Sequence, residues 1–210
     1  MPTKQPASFD RKFVPLSTRF DHALLFASQV HREQDRKKSG IPYISHLLGV
    51  ASIVLDYGGD EEMGIAALLH DAVEDHGGRP MLKVIDRIFG ARVAKIVDGC
   101  TDSYVEDPKK KESWERRKFR YLRRVRHEDA ETRFVSAADK LYNARAILDD
   151  YRKIGPQVWT RFKRGRKHQL WYFRELLKVF KAAGKNRIVA ELERVTDKLE
   201  RISANEKQKG

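Results

Sequence analysis

Apolar residues recur at spacings of three and four along almost the whole of this 210-residue chain, which is the periodicity of amphipathic helices. The pattern starts at Phe20 and resumes at Ile44. A third stretch begins at Asp60 with acidic residues that suit the positive end of a helix dipole, and is expected to run as one helix to Asp75. No segment alternates apolar and polar residues as a β-strand does. The spacing therefore predicts one all-α domain.

We expect about eight to ten helices in a single bundle. Pro80 and Gly90 have the positions that are typical of the start and end of a fourth helix. Later helices are expected at about 91–99, 112–126, 130–150, 156–162, 166–183 and 186–203. The predicted organisation is an N-terminal extension over 1–19, the helical domain over 20–203 and a flexible tail over 204–210.

The formal net charge of +13 is concentrated in two segments. Residues 104–126 hold ten basic and four acidic side chains, and residues 151–168 hold seven basic and no acidic ones. A localised cationic face indicates a polyanionic partner, such as a nucleic acid, a polyphosphorylated nucleotide or an anionic membrane surface. A solvated face that maintains solubility explains the same charge, so charge alone leaves these alternatives open.

Several protein classes leave no signal in this sequence. The single Cys100 excludes a disulfide framework and a cysteine-based zinc module. No apolar run approaches the roughly 18 residues of a membrane span, and the N-terminus has no apolar secretory core. Phosphate-binding glycine loops and a nucleophile elbow are also missing. We therefore predict a cytoplasmic protein that acts on no membrane, whose chemistry, if it is an enzyme, relies on histidines and carboxylates.

Polar residues that can bind a metal follow an apolar run in AALLHDAVED. On one continuous helix, His70 would lie above Glu74 and Asp71 above Asp75. Burying such pairs is costly without a compensating cation, and a divalent metal is the simplest one. An amphipathic helix whose polar side faces water explains the same letters, so this motif alone does not decide between the two.

His46 and Asp139 lie within two other apolar helical stretches, PYISHLL and VSAADKLYN. Together with His70 and Asp71 they offer two nitrogen and two oxygen ligands. This mixture suits Mn²⁺, Fe²⁺ or Zn²⁺ better than Mg²⁺ or Ca²⁺, which prefer oxygen. A single histidine on an apolar face is more often a core residue, so the hypothesis depends on the whole set. His31 and His76 lie nearby in the sequence and are candidates for supporting hydrogen bonds.

These four residues, in this order, resemble the signature of the HD-domain metal-dependent phosphohydrolases. Longer words are more specific: HREQDRKKSGIPYISHLLGVA, AALLHDAVEDHG, FGARVAKIVDGCTD, SWERRKFRYL and AADKLYNARAIL. They resemble the alarmone hydrolase domain of the RelA/SpoT group, above all its single-domain members, the small alarmone hydrolases, which include the metazoan SpoT homologue. The resemblance covers the chain from about Phe20 to Leu177.

The resemblance implies Mn²⁺-dependent hydrolysis of the 3′-diphosphate of ppGpp or pppGpp, which yields GDP or GTP and pyrophosphate. The metal ligands that it implies are His46, His70, Asp71 and Asp139. It implies that Glu74 and Asp75 orient or deprotonate the attacking water. The substrate contacts that it implies are Arg36, Lys37, Ser39, Asn143 and Tyr172. Further cations that can face the phosphates are Lys110, Arg117, Lys118 and Arg145.

Two alternatives to an alarmone substrate follow from the same residues. An HD-type site can hydrolyse another nucleotide, such as (p)ppApp, NADPH or a nucleoside 5′-phosphate. Alternatively, the chain is a nucleic-acid-binding protein with a vestigial metal site, whose basic stretches carry Trp114, Phe119, Tyr121 and Trp159 for base stacking. Because these aromatic residues fall on helical stretches, they are more simply explained as core residues. We therefore expect a small polyphosphorylated nucleotide as partner, and the sequence does not predict an oligomeric state.

Overall fold

The computed structural model of the protein describes residues 14–36, 39–105, 107, 109–184 and 186–204. Within these ranges the chain forms ten α-helices and one short 3-10 helix. In chain order these are α1 (Thr18–Val30), α2 (Ile44–Asp56), α3 (Glu61–Leu69), α4 (Ala72–Asp75), α5 (Gly78–Phe89), α6 (Ala91–Cys100), α7 (Trp114–Val125), α8 (Ala130–Ile154), the 3-10 helix (Gly155–Arg161), α9 (Gly165–Ala182) and α10 (Arg187–Ala204).

The prediction of an all-α fold is confirmed for the described residues, whose only β-type pairing is an isolated bridge between Asp35 and Pro42. Helix positions from α5 onward agree with the expected ranges within a few residues. One helix type differs, because the segment expected near 156–162 is a 3-10 helix. It begins with Gly155, which has a φ of 62°, and Pro156, which has no N–H to donate. This tight connection turns the chain from α8 towards α9.

The prediction of one helix from Asp60 to Asp75 is wrong at its centre. Helix α3 ends at Leu69, His70 and Asp71 form a turn, and α4 is a single turn. Consecutive residues on a regular helix point about 100° apart. Both residues keep backbone angles of the right-handed helical region, with φ −60° and ψ −27° at His70 and φ −97° and ψ −8° at Asp71. Their side chains nevertheless meet, since Oδ2 of Asp71 lies 3.1 Å from Nε2 of His70.

Helices α3 and α8 form the centre of the bundle. Helix α3 is buried on every side from Met63 to Leu69, as expected for a helix without a polar face. Helix α8 packs against α2, α3, α6 and α10 and buries most of its first half, including Asp139. A carboxylate at that position has no bulk water around it, so the fold must supply its partners.

The two terminal predictions fall mainly outside the described residues. Of the expected extension over 1–19, the structure describes 14–19, and α1 begins at Thr18. Of the expected tail over 204–210, it describes Ala204, the last residue of α10. Among the helices described, none has the length and apolar character needed to span a bilayer.

Gly49 permits close packing between α2 and α8, and Gly49→Ala tests this contact. A Cβ atom at Gly49 would lie 2.0 Å from Cε2 of Tyr142, whose hydroxyl donates to the carbonyl oxygen of Ser45 at 3.2 Å. Overpacking of this kind typically costs about 1–3 kcal/mol, partly offset by the roughly 1 kcal/mol by which alanine is the better helix former. We expect the melting temperature to fall by about 2–4 °C. Ser52→Ala, at an exposed position of the same helix, is the control, and an unchanged Gly49→Ala melting temperature would contradict the packing argument.

Candidate metal centre

Three buried side chains from different helices meet at one point. His46 comes from α2, His70 follows the last residue of α3, and Asp139 comes from α8. One ligand atom from each lies within 4.8 Å of the other two. The two Nε2 atoms are 3.3 Å apart, and Oδ1 of Asp139 lies 3.4 Å from Nε2 of His46 and 3.8 Å from Nε2 of His70. These three residues can hold a metal ion.

The tautomer of His70 suits a metal ligand. Its Nδ1 lies 2.8 Å from the carbonyl oxygen of Ala67, and because a carbonyl only accepts, His70 donates from Nδ1, which leaves Nε2 as the atom that can bind a metal. Burial alone would lower the pKa of His70, but the carboxylates of Asp71 and Asp139 raise it well above its ordinary value. Positive charge is therefore favoured between these groups, and a divalent cation meets that requirement.

Asp71 approaches both imidazoles but lies outside this three-residue cluster. Its Oδ2 is 3.1 Å from Nε2 of His70 and 3.4 Å from Nε2 of His46. The same oxygen accepts a hydrogen bond of 2.5 Å from the hydroxyl of Tyr43. Burial would raise the pKa of Asp71, and the two histidines hold it well below its ordinary value. The four predicted ligands are thus close together, with Asp71 on the more exposed side.

Asp139 is fixed by its neighbours on α8. One carboxylate oxygen pairs with the ammonium group of Lys140, and the other accepts a hydrogen bond from the side-chain amide of Asn143. Burial would raise the pKa of Asp139, but Lys140 and the two histidines hold it well below its ordinary value. The carboxylate is therefore charged and held in place, as a metal ligand requires.

Beside the cluster lies a cavity of about 260 Å³, bounded by residues that include His46, Asp71, Glu74, Asp139 and Tyr172. We call it the metal cavity. Burial, together with the nearby carboxylate of Asp102, raises the pKa of Glu74 to about 7. Burial and the charge of Asp71 also raise the pKa of Asp75. Glu74 and Asp75 both line the metal cavity, so the predicted Glu–Asp pair faces the same space as the candidate ligands.

Gln34 links the two candidate supporting histidines to Asp75. Its Oε1 lies 2.5 Å from Nδ1 of His31 and 2.9 Å from Nε2 of His76, so both rings donate to it. Its amide nitrogen donates to Oδ2 of Asp75 at 2.7 Å. Burial lowers the pKa of His31 to about 4, which keeps that ring neutral. His31 and His76 thus reach the site indirectly, through an amide that orients Asp75.

Asp102 organises the cationic wall of the metal cavity. Its carboxylate pairs with Nη1 of Arg117 at 2.5 Å and Nζ of Lys118 at 2.6 Å. Arg117 also lies 3.4 Å from Oε1 of Glu74, and Lys111 lies 3.7 Å from the same atom. Burial would raise the pKa of Asp102, but Lys118 and Arg117 hold it well below its ordinary value. A buried charged carboxylate therefore holds two cations close to Glu74.

The other predicted substrate contacts fall into three groups. Arg36, Asn143 and Tyr172 line the metal cavity with Lys118, and Nη2 of Arg36 donates to the side-chain oxygen of Asn143 at 3.3 Å. Ser39 lies beside Arg36 in a separate small cavity. Lys37 lies outside the described residues.

Two predicted contacts are not brought to the metal cavity. Arg145 points towards α10, where it pairs with Glu191 at 3.1 Å. The side chain of Lys110 is 79% exposed and lies 3.9 Å from Asp107. In both cases the sequence supplied a cation near a motif, whereas the direction of the side chain depends on the packing of its helix or loop.

Several residues of the site were not singled out from the sequence. These are Gln34, Tyr43, Asp102, Lys111 and Lys140. Tyr43 and Lys140 lie within motifs quoted above, next to or near a predicted ligand, so proximity was an available signal. Gln34 and Asp102 also belong to such motifs, HREQDRKKSGIPYISHLLGVA and FGARVAKIVDGCTD. Lys111 had no such signal, because a lysine in a charged loop looks like solvated surface.

The family model described as an HD domain matches residues 23–169, more than half of the chain. The Danio rerio protein named guanosine-3′,5′-bis(diphosphate) 3′-pyrophosphohydrolase MESH1 is 38% identical over 138 residues, which cover 64% of this chain and 70% of that protein. The Homo sapiens protein of the same name is 36% identical over 138 residues, which again cover 64% of this chain and 70% of that protein. GTP pyrophosphokinase rsh of Brucella melitensis is 38% identical over 125 residues, but the match covers only 16% of that longer protein.

Two solved structures share the fold. A metazoan orthologue of SpoT, described as hydrolysing ppGpp, superposes with a TM-score of 0.71 over 89% of this chain and 98% of its own, at 24% identity. A protein from Listeria monocytogenes EGD-e superposes with a TM-score of 0.63 over 72% of this chain and 96% of its own, at 31% identity. The matched region of the family model includes all four candidate ligands, and the chain belongs to the HD domain family.

Proposed function

We propose that this protein is a Mn²⁺-dependent hydrolase that removes the 3′-diphosphate from guanosine alarmones, converting ppGpp to GDP and pppGpp to GTP with release of pyrophosphate. The observation that carries the proposal is the buried cluster of His46, His70 and Asp139, which faces a cavity with further carboxylates and cations. The names of the Danio and human relatives describe this reaction, and the proposal transfers it to this chain.

His46, His70, Asp71 and Asp139 are the proposed metal ligands. A bound Mn²⁺ would act as a Lewis acid towards the phosphate and lower the pKa of water towards neutrality. The mixed nitrogen and oxygen donors support a transition metal of this kind, and Fe²⁺ and Zn²⁺ fit the same donors. The tautomer of His70 and the ion pair between Asp139 and Lys140 hold these donors ready for a cation.

Glu74 and Asp75 are the proposed proton acceptors and positioning groups for the attacking water. Hydrolysis joins the water oxygen to the first phosphorus of the 3′-diphosphate and breaks the bond from that phosphorus to the 3′ oxygen. One water proton passes to a carboxylate, and the 3′ oxygen of the nucleoside gains a proton. A carboxyl group whose pKa is raised to about 7, as burial does for Glu74, can both accept and return a proton at neutral pH.

Arg117, Lys118 and Lys140 are the proposed partners of the phosphate oxygens. Lys118 and Lys140 line the metal cavity, and Arg117 lies against Glu74 at its edge. Cations that are already held in position stabilise charge as it develops on phosphoryl oxygens, with little reorganisation during the reaction. Arg36, Ser39 and Asn143 are the proposed contacts of the nucleoside.

Two of the four aromatic residues that the nucleic-acid alternative relies on are buried. Tyr121 and Trp159 are 3% and 7% exposed, so they belong to the core and are unavailable for stacking on bases. Phe119 is 55% exposed and packs against Trp171 with 5.0 Å between ring centroids. A small nucleotide in the metal cavity therefore remains the proposed ligand, and the cytoplasmic location predicted from the sequence remains part of the proposal.

The first test is metal dependence. We expect saturating Mn²⁺ at about 100 times its Kd to stabilise the protein by about 2.7 kcal/mol, a rise in melting temperature of roughly 5–10 °C. Chelation should abolish ppGpp hydrolysis, and His70→Asn and Asp139→Ala should lose both the thermal shift and at least about a hundredfold in activity. Asp86→Asn, at an exposed position of α5, is the control. Hydrolysis that persists in the chelated protein would refute a metal-dependent mechanism.

The second test separates catalysis from metal binding. We expect Glu74→Gln and Asp75→Asn to lower kcat by about 10²–10⁴-fold, because proton transfer contributes a factor of this size. Both variants should keep the Mn²⁺-dependent rise in melting temperature, since neither residue is a proposed ligand. Near-normal turnover in both variants would remove them from the mechanism, and loss of the thermal shift would instead assign them to metal binding.

The third test identifies the substrate. We expect a panel of ppGpp, pppGpp, ppApp, NADPH and nucleoside 5′-phosphates, incubated with Mn²⁺, to give fastest turnover for the guanosine alarmones. Chromatography of the products should find pyrophosphate and GDP or GTP. Faster hydrolysis of another nucleotide would keep the metal chemistry and overturn the substrate, whereas release of orthophosphate would overturn the proposed bond cleavage.

A further inference from the structure

Gln34 lies in the chain between α1 and α2, on a backbone that is fixed from both sides. Its N–H donates to the carbonyl oxygen of His31 at 3.0 Å, and its own carbonyl oxygen accepts from the N–H of Tyr43 at 3.0 Å. Asp35, the next residue, forms the isolated bridge with Pro42. These main-chain contacts do not involve the side chain of Gln34, so the direction of its amide depends on the groups that the amide itself contacts.

The side-chain partners of Gln34 favour one orientation of its amide. An ionised carboxylate only accepts hydrogen bonds, so the amide nitrogen must face Oδ2 of Asp75, at 2.7 Å. The amide oxygen then lies between Nδ1 of His31 and Nε2 of His76, each of which can donate an N–H. In the reverse orientation the amide oxygen would face the carboxylate oxygen, and two acceptors without a proton between them repel each other. All three contacts are therefore satisfied together in this arrangement alone.

The ring of His31 is fixed by its packing. It is 2% exposed, and it stacks on the ring of Tyr43 with 5.0 Å between centroids and 19° between planes. His76 meets the same ring edge-on, with centroids 4.8 Å apart. Nε2 of His31 is buried without a hydrogen-bond partner among the described residues, so the hydrogen bond of this ring is the one that Nδ1 donates to Gln34. The ring and the amide thus fix each other's direction.

Asp75 differs from Glu74 in the groups that hold its carboxylate. Oε1 of Glu74 lies 3.4 Å from Nη1 of Arg117 and 3.7 Å from Nζ of Lys111, both of which are cations. Asp75 forms no ion pair with a residue that the structure describes, and its side chain accepts a hydrogen bond from the neutral amide of Gln34. The terminal torsion of a carboxylate side chain is broad, and α4 is a single turn. The direction of the Asp75 carboxylate therefore depends on Gln34.

We propose that Gln34 is a positioning residue for hydrolysis, whose amide holds the carboxylate of Asp75 in the direction from which it meets the attacking water. This inference rests on the proposed function, in which Asp75 takes part in proton transfer. Gln34 is not among the residues that line the metal cavity, so it acts through Asp75 and not on the substrate. His31 and His76 act one contact further out, by fixing the amide.

A purely structural role for Gln34, in which it holds the turn after α1, is the competing explanation. The main-chain contacts of this turn would persist with another side chain at this position. A structural role predicts that a variant loses stability, metal binding and activity together. A positioning role predicts that kcat falls while metal binding and KM are preserved, because a misdirected carboxylate slows proton transfer without changing how the nucleotide binds.

Gln34→Met removes the amide and keeps the length of the side chain. We expect kcat for ppGpp to fall by about tenfold to hundredfold, with KM within about twofold of wild type and the Mn²⁺-dependent rise in melting temperature retained. Glu33→Met is the matched control, since Glu33 is the preceding residue and is exposed, and it should behave as wild type. Unchanged kcat in Gln34→Met would overturn the inference. Loss of the thermal shift would also overturn it, because that result indicates a structural role.

A double variant tests whether Gln34 acts through Asp75. In the Asp75→Asn background the carboxylate that Gln34 orients is already gone, so adding Gln34→Met should change kcat by less than about twofold. The same substitution in the wild-type background should cost about tenfold or more. A second loss of this size in the double variant would show that Gln34 acts on another group, which contradicts the inference.

Nitrogen NMR of the histidine rings tests the arrangement without turnover. We expect His31 in the wild-type protein to carry its proton on Nδ1 and to donate it to the amide oxygen of Gln34. A proton on Nε2 of His31 instead would mean that Nδ1 accepts from a reversed amide. That result would refute the inference whatever the substrate is.

The substrate panel separates this inference from the proposed function. If another nucleotide is hydrolysed in place of ppGpp and Gln34→Met lowers its kcat by the same factor, the proposed substrate fails and the positioning role stands. If Gln34→Met hydrolyses ppGpp at the wild-type rate, the positioning role fails and the proposed function stands.

Discussion

Two imidazoles and a carboxylate, buried together at the meeting point of α2, α3 and α8, require positive charge between them. Much of the surrounding structure meets the geometric demands of that cluster. His70 and Asp71 lie in the turn between α3 and α4, and both side chains reach the cluster. Ala67 fixes the tautomer of His70, and Lys140 balances the second oxygen of Asp139. Burying charged ligands is unfavourable unless each has a partner. The contacts with Ala67 and Lys140 supply such partners to His70 and Asp139.

Negatively and positively charged side chains also alternate with increasing distance from the candidate metal ligands. Next to the candidate ligands lie the carboxyl groups of Glu74 and Asp75, then the ion pairs of Asp102 with Arg117 and Lys118. A metal and a phosphate next to it would each meet the opposite sign of charge. The local concentration of basic residues therefore has a geometric explanation that the net charge of the chain does not give.

The sequence was most informative where a motif fixes both residue type and position. His46, His70, Asp71 and Asp139 were chosen from apolar helical stretches, and the structure brings them together because polar residues inside apolar faces must point into the bundle. Arg145 and Lys110 were chosen by charge and position near a motif, and they point elsewhere. A long flexible cation on a helix or loop can turn to any nearby carboxylate, so its direction depends on partners that are distant in sequence.

The sequence by itself determined that the chain is helical, that it resembles an HD-domain hydrolase, and which four residues are candidates to hold a metal. These properties follow from periodicity and from local motifs, which are encoded over short stretches of chain. Only the tertiary structure decided that His70 and Asp71 occupy a turn, that Asp102 organises the cationic wall, and that the amide of Gln34 reaches Asp75. Each depends on contacts between residues far apart in sequence, such as Asp102 with α7 and Gln34 with Asp75, and such contacts exist only once the helices have packed.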